Sequence, residues 1–223
     1  MNQPRRYRVG AVHALLNAIP TTQAAFDRGW PEADVAHLLD GSLYLDRSEG
    51  NVDDAELSSR IDRLIRYSES TGTEGIIVTG SFFGEFAKQA RASVSIPVAT
   101  SFDGIIERAL ALGQPLHVVA TAPDSATFLS AELLAEAERR GQEVSVSSGA
   151  IAGAMDSLIS GDPEQHDRLV LEAVGAVDEE TAILFAQFSM ERILPGSAAI
   201  RVSPVIGPAS EGVARLRTLI ANR

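Results

Sequence analysis

Chemistry in this chain is most concentrated in residues 75–86, Gly-Ile-Ile-Val-Thr-Gly-Ser-Phe-Phe-Gly-Glu-Phe. An apolar β-branched run, Ile76 to Val78, stops at Thr79, Gly80 and Ser81, and apolar periodicity resumes with Phe86, Ala87 and Ala90. That pattern predicts a buried parallel strand, a tight turn and a helix start. Backbone N–H groups at such a turn lack intrahelical partners and favour an anion such as a carboxylate. A nucleophile could stand there too, and the only one on offer is a hydroxyl. Gly- and Ser-rich turns of α/β folds also occur with nothing bound, so a plain connection is the competing reading.

The remaining candidates gather at predicted strand ends. His13 follows a strand over residues 7–12, at the carboxyl edge where side chains of parallel sheets meet ligands. Thr100, Ser101 and Asp103 follow Ile96-Pro97-Val98-Ala99, Thr121 follows Leu116 to Ala120, and Gln187, Phe188 and Ser189 follow Ala182 to Ala186. Ser203 stands in the next strand-like segment, Ile200 to Val205. His13 or Asp103 is the candidate base, with Ser81 and Gln187 beside them in the catalytic set. Thr79, Gly80, Ser101, Thr121, Ser189 and Ser203 form a donor-rich lining, and Phe82, Phe83 and Phe188 an apolar subsite. Each has a structural alternative: Asp103 as a helix cap, His13 as a strand-end histidine, the hydroxyls as caps, the rings as core. His13, His37, His117 and His166 are scattered without ligand spacing, which predicts no metal. His166 reads as solvent-facing. No Gly-x-Gly-x-x-Gly run follows the first strand, which argues against a nucleotide.

The elements that position these residues alternate between strand and helix. Residues 34–39 read as a second strand, 48–54 as a polar loop, 55–71 and 125–140 as amphipathic helices, 144–147 as strand-like, Gly161-Asp162-Pro163 as a break and restart, and 211–222 as a closing helix. Thr21 and Thr22 read as caps of a helix through Phe26, after a loop over residues 15–20. Such alternation implies an α/β fold with parallel sheets. The halves echo each other, Gly80-Ser81 and Thr100-Ser101 against Gln187-Phe188-Ser189 and Ser203-Pro204. Two similar lobes facing one another would surround one cleft.

Composition narrows the partners. The 223 residues, 45% of them hydrophobic, suffice for one large or two small domains. A formal net charge of -11 argues against nucleic acid, which needs a basic surface. No apolar run reaches the roughly 18 residues of a membrane span, and Val9 to Val12 is too short for a signal-peptide core, so no membrane partner and a cytoplasmic location are expected. The chain has no cysteine, which removes disulfides and thiol catalysis together.

With these residues in view the sequence resembles the aspartate/glutamate/hydantoin racemase superfamily, which also includes maleate isomerases and arylmalonate decarboxylase. The likeness is carried by Val9-Gly-Ala-Val-His-Ala14, residues 75–84, Ile96-Pro-Val98, Ala120-Thr-Ala-Pro123, Gly161-Asp162, His166-Asp167, Leu184 to Met190 and Val202-Ser-Pro204. It implies two Rossmann-like lobes related by a pseudo-twofold axis, 1–99 with 207–223 and 100–206, an active-site cleft between them, a small carboxylate ligand, no cofactor and a homo-oligomer. It also implies two cysteines working on opposite faces of an acidic carbon, one where Gly80 stands and the other at about Gln187. Both are absent. A serine or threonine hydroxyl cannot replace a thiolate without a strong neighbouring base.

Three readings follow. One is a cofactor-independent enzyme with altered chemistry, an isomerase, lyase or decarboxylase acting on a small carboxylate or carbonyl compound. Another is an inactive binding or regulatory protein with the same cleft. The third takes Gly80 as a replacement for a reactive cysteine.

Overall fold

A computed structural model describes residues 5–223; residues 1–4 lie outside the described part. In chain order the elements are β1 (Tyr7–His13), α1 (Ala18–Gly29), β2 (Ala33–Leu39), α2 (Ser42–Glu49), α3 (Asp54–Ser70), β3 (Gly75–Val78), α4 (Gly84–Ala90), β4 (Val98–Thr100) and α5 (Asp103–Leu110). Then follow β5 (Leu116–Ala120), α6 (Pro123–Arg139), β6 (Val146–Ala150), α7 (Ala154–Ile159), α8 (Pro163–Gly175), β7 (Ala182–Phe185), α9 (Leu194–Ile200), β8 (Val205–Ile206) and α10 (Pro208–Ala221). They build two four-stranded, all-parallel sheets of the same strand order, β2-β1-β3-β4 and β6-β5-β7-β8. The chain divides into two compact units, the first running up to Gly104 and including Gly212–Arg223, the second Ile105–Glu211.

In the first unit β3 is buried along its whole length, as its β-branched run demands. Ile76 and Val78 face Leu57, Ile61 and Ile65 of α3 and Ala87 of α4. Gly75 and Ile77 face α10, whose Leu216, Ile220 and Gly212 crowd them closely enough that a Cβ on Gly75 would collide with Ile220. Helix α3 begins at Asp53, whose side chain accepts from Glu56 N at 2.9 Å. Each fully buried Leu or Ile of its stripe contributes about 1.5–3 kcal/mol, so the stripe holds α3 against β1 and β3.

In the second unit Val119, Ile183 and Phe185 pack on Val170 and Val174 of α8 and on Met190 and Ile193. Asp162 caps α8 by accepting from Gln165 N, with Pro163 in the first turn, as the expected restart requires. His166, Val170 and Val174 form the buried stripe of this helix. His166 is therefore not solvent-facing; it is fully buried, its Nδ1 paired with Asp167 and its Nε2 without a hydrogen bond. Arg201 is buried too and donates to the carbonyls of Val174, Val177, Asp178 and Thr181 at 2.7–2.9 Å, tying the end of α8 to the segment that enters β7.

Other local expectations shift. Helix α1 begins at Ala18, with Pro20 in its first turn, where a missing N–H costs nothing; Thr22 is no cap but donates back to Ala18 O. The polar segment expected as a loop over residues 48–54 is partly α2, closed by Gly50 in the left-handed region. Strand β6 lies at Val146–Ala150 rather than 144–147. No helix among the described residues is long and apolar enough to cross a membrane.

Candidate active site

His13 ends β1 on the face covered by α1, and it is fully buried. Its Nδ1 lies 2.8 Å from Thr79 Oγ1, just past the end of the neighbouring β3. Its Nε2 lies 2.9 Å from His37 Nδ1 on β2, the two rings stacked with centroids 5.1 Å apart. His37 Nε2 in turn meets Gln23 Oε1 on α1 at 2.9 Å, and Gln23 Nε2 donates to Asp27 Oδ1 at 2.7 Å one turn further along that helix. A continuous chain of hydrogen bonds thus runs from a buried hydroxyl at the strand edge to an exposed carboxylate. Burial, and then the neighbouring His37, push His13 down to about 4; burial lowers His37 as well. Both rings are neutral at neutral pH.

The turn after Thr79 is shaped by Gly80, at φ +98 and ψ 112. No L side chain adopts that backbone comfortably, and a Cβ there would stand 3.2 Å from the Phe83 ring. Glycine is the residue this turn folds around. A single turn of 3-10 helix, Ser81–Phe83, separates the strand from α4. Ser81 is half-buried, and its hydroxyl makes no hydrogen bond among the described residues. Phe83 belongs to the core around α3, whereas Phe82 packs beside it and lies under the Arg47 guanidinium at 5.2 Å.

Two candidates of the first unit are occupied structurally. Asp103 and Thr100 cap each other: Asp103 Oδ2 accepts from Thr100 N at 2.7 Å, and Thr100 Oγ1 accepts from Asp103 N at 3.3 Å. Asp103 also pairs with Arg91. A carboxylate so engaged is a helix cap rather than a free base. Ser101 is buried and donates to Val78 O at 3.3 Å.

The second unit repeats the first in register. Ile76 N donates to Pro97 O and Ile183 N to Pro204 O, both at 2.9 Å, while Thr79 N donates to Val12 O and Ala186 N to Val119 O. Gln187 therefore corresponds to Gly80, and Pro204 to Pro97. Gln187 Oε1 is gripped by Thr121 N at 2.6 Å and by Thr121 Oγ1 at 2.8 Å. The amide oxygen is consumed, so the free N–H pair can donate but the group cannot serve as a base. Phe188 and Ser189 follow in a 3-10 helix, both half-buried. Ser203 is misplaced by the expected echo with Ser101: it precedes β8 and so sits at the amino edge, held to Glu179 O and to Gln114 Nε2. The carboxyl edge after β8 is filled instead by Glu191, buried and accepting from Ala209 N, Ser210 N and Ser210 Oγ. Gly207 allows that approach, since a Cβ there would collide with the carboxylate.

Among these groups only Thr79 combines a hydroxyl with a neighbouring imidazole. His37 and Gln23 had not been expected. A signal existed in the alternation of β2, since in a parallel pair Ala11 stands beside His37, on the same face as His13.

The Asp/Glu/hydantoin racemase family model matches residues 20–218. No curated protein matches the chain. Among solved structures it is similar to an allantoin racemase from Klebsiella pneumoniae, with 16% identity, 97% of this chain and 88% of that one covered, and a TM-score of 0.70. A glutamate racemase isoform from Bacillus anthracis gives 14% identity, coverage of 98% and 83%, and a TM-score of 0.71. An arylmalonate decarboxylase gives 14% identity, coverage of 96% and 92%, and a TM-score of 0.68. At such identities the likeness is one of fold, but with the family model spanning nearly all of the sequence, the chain belongs to the Asp/Glu/hydantoin racemase family.

Proposed function

We propose that this protein is a cofactor-independent, racemase-like enzyme that acts on a small carboxylate, and that Thr79 handles the proton at the carbon beside the carboxylate. The observation that carries this reading is the 2.8 Å contact between Thr79 Oγ1 and His13 Nδ1. A hydroxyl needs its own base to act where a thiolate would, and His13 is that base. In the deprotonating direction the Thr79 oxygen takes the carbon-bound hydrogen as its own proton passes to His13, leaving a carbanion and an imidazolium. In the return direction the same protons move back. Ser81, with its unengaged hydroxyl beside the Gly80 turn, is assigned to the substrate carboxylate.

The strength of the base selects the substrate class. An imidazole held at about 4 is neutral and ready at neutral pH, yet too weak to draw a proton from an ordinary carboxylate α-carbon. The reaction that suits it begins from a carbon flanked by the carboxylate and a second electron-withdrawing group, or from one whose carbanion arises by loss of carbon dioxide. Family likeness to racemases and to a decarboxylase is consistent with both.

Incubation with small 2-substituted malonates and 3-oxo- or 2-aryl-carboxylates in deuterated water tests the reading. Deuterium entering at the carbon beside the carboxylate, dependent on the protein, is the expected result. A ligand that raises the melting temperature but never exchanges or loses carbon dioxide would instead mark a binding protein without chemistry.

A further inference from the structure

We propose that Gln23 and Asp27 are positioning residues that, through His37, set the tautomer of His13 and so aim the Thr79 proton at its Nδ1. The inference deepens the reading of Thr79 and His13 as the proton-handling pair and rests on it for its catalytic consequence. Its structural content stands on hydrogen-bond directions alone.

The directions follow from the exposed end inward. A carboxylate only accepts, so Asp27 Oδ1, 2.7 Å away, must face the amide nitrogen of Gln23. That turns Gln23 Oε1 toward His37 Nε2 at 2.9 Å, and an amide oxygen also only accepts, so His37 Nε2 carries its hydrogen. A neutral His37 then has a bare Nδ1, which takes the hydrogen of His13 Nε2 across 2.9 Å. His13 Nδ1 is bare in consequence and accepts from Thr79 Oγ1 at 2.8 Å. The lowered values of both imidazoles support the neutral forms that the chain requires.

The opposite ordering is also hydrogen-bonded throughout. Were the Gln23 amide reversed, every bond would run the other way, His13 Nδ1 would donate to Thr79, and the hydroxyl would donate to Val12 O at 3.3 Å. In that state Thr79 has no base. Asp27 discriminates between the two, because reversal would set an amide oxygen against its carboxylate.

Nitrogen-15 NMR of protein labelled at histidine reads tautomers directly, without turnover. The expected spectrum at neutral pH shows His13 and His37 both protonated at Nε2. Asp27→Ala, at an exposed position, and Gln23→Leu are expected to populate the Nδ1-protonated form of His13, while Asp27→Glu retains the wild-type tautomer. With a substrate in hand, Asp27→Ala is expected to lower kcat about tenfold with KM unchanged. A wild-type His13 protonated at Nδ1, or tautomers unmoved by both Asp27→Ala and Gln23→Leu, overturns the inference. An inactive protein with the expected tautomers would count against the catalytic reading alone.

Discussion

Thr79 Oγ1 lies 2.8 Å from His13 Nδ1, with both side chains shut off from solvent inside the first unit. Replacing the hydroxyl by a methyl in Thr79→Val keeps the shape but leaves a buried imidazole nitrogen unpaired. The expected cost is about 1–3 kcal/mol in unfolding free energy, measured by urea titration. Thr79→Ser, which keeps the hydroxyl, is expected to lose less than Thr79→Val.

Gly80 gives a second prediction. At φ +98 any side chain is strained, so Gly80→Ala is expected to destabilise by about 1–3 kcal/mol. Gly80→Cys carries the same strain and is expected to lower the melting temperature likewise. Denaturation midpoints equal to wild type would show that the turn tolerates a Cβ.

The pH dependence of stability follows from His13. Its folded value, about 4, lies below the unfolded value of 6.5, so between those pH values the unfolded chain holds the extra proton. The contribution is complete above about pH 6.5 and is lost as pH falls toward 4, to a total of about 3 kcal/mol. Comparison of wild type with His13→Asn isolates it from the carboxylates. Wild-type stability is expected to fall more steeply than that of the variant across this window, and parallel curves would contradict the assignment.

Arg201 is expected to be a structural keystone of the second unit. Its guanidinium serves four carbonyls out of solvent, and Arg201→Met leaves them unpaired at a predicted cost of about 3–5 kcal/mol. Thermal denaturation of that variant checks it.

What the sequence disclosed was set by periodicity. The β-branched run at Ile76–Val78 and the apolar run at Ala182–Ala186 marked buried strands, and the stripe from Leu57 to Ile65 marked α3. The same periodicity, applied to His166, Val170 and Val174, points to a buried histidine, but flanking charges masked it. Helix α2 buries only Leu43 and so shows no stripe. Ser203 was assigned to the wrong edge because β8 has two residues and begins only after Pro204. The meeting of His13 with His37 depends on which strands are neighbours, a tertiary fact that local spacing does not encode.

The most direct measurement is deuterium incorporation at the carbon beside the carboxylate, followed by NMR in deuterated water for wild type, Thr79→Ser and Thr79→Val. Incorporation is expected with the first two and at least about a hundredfold slower with folded Thr79→Val. Exchange at the wild-type rate in Thr79→Val would place the proton-handling group elsewhere.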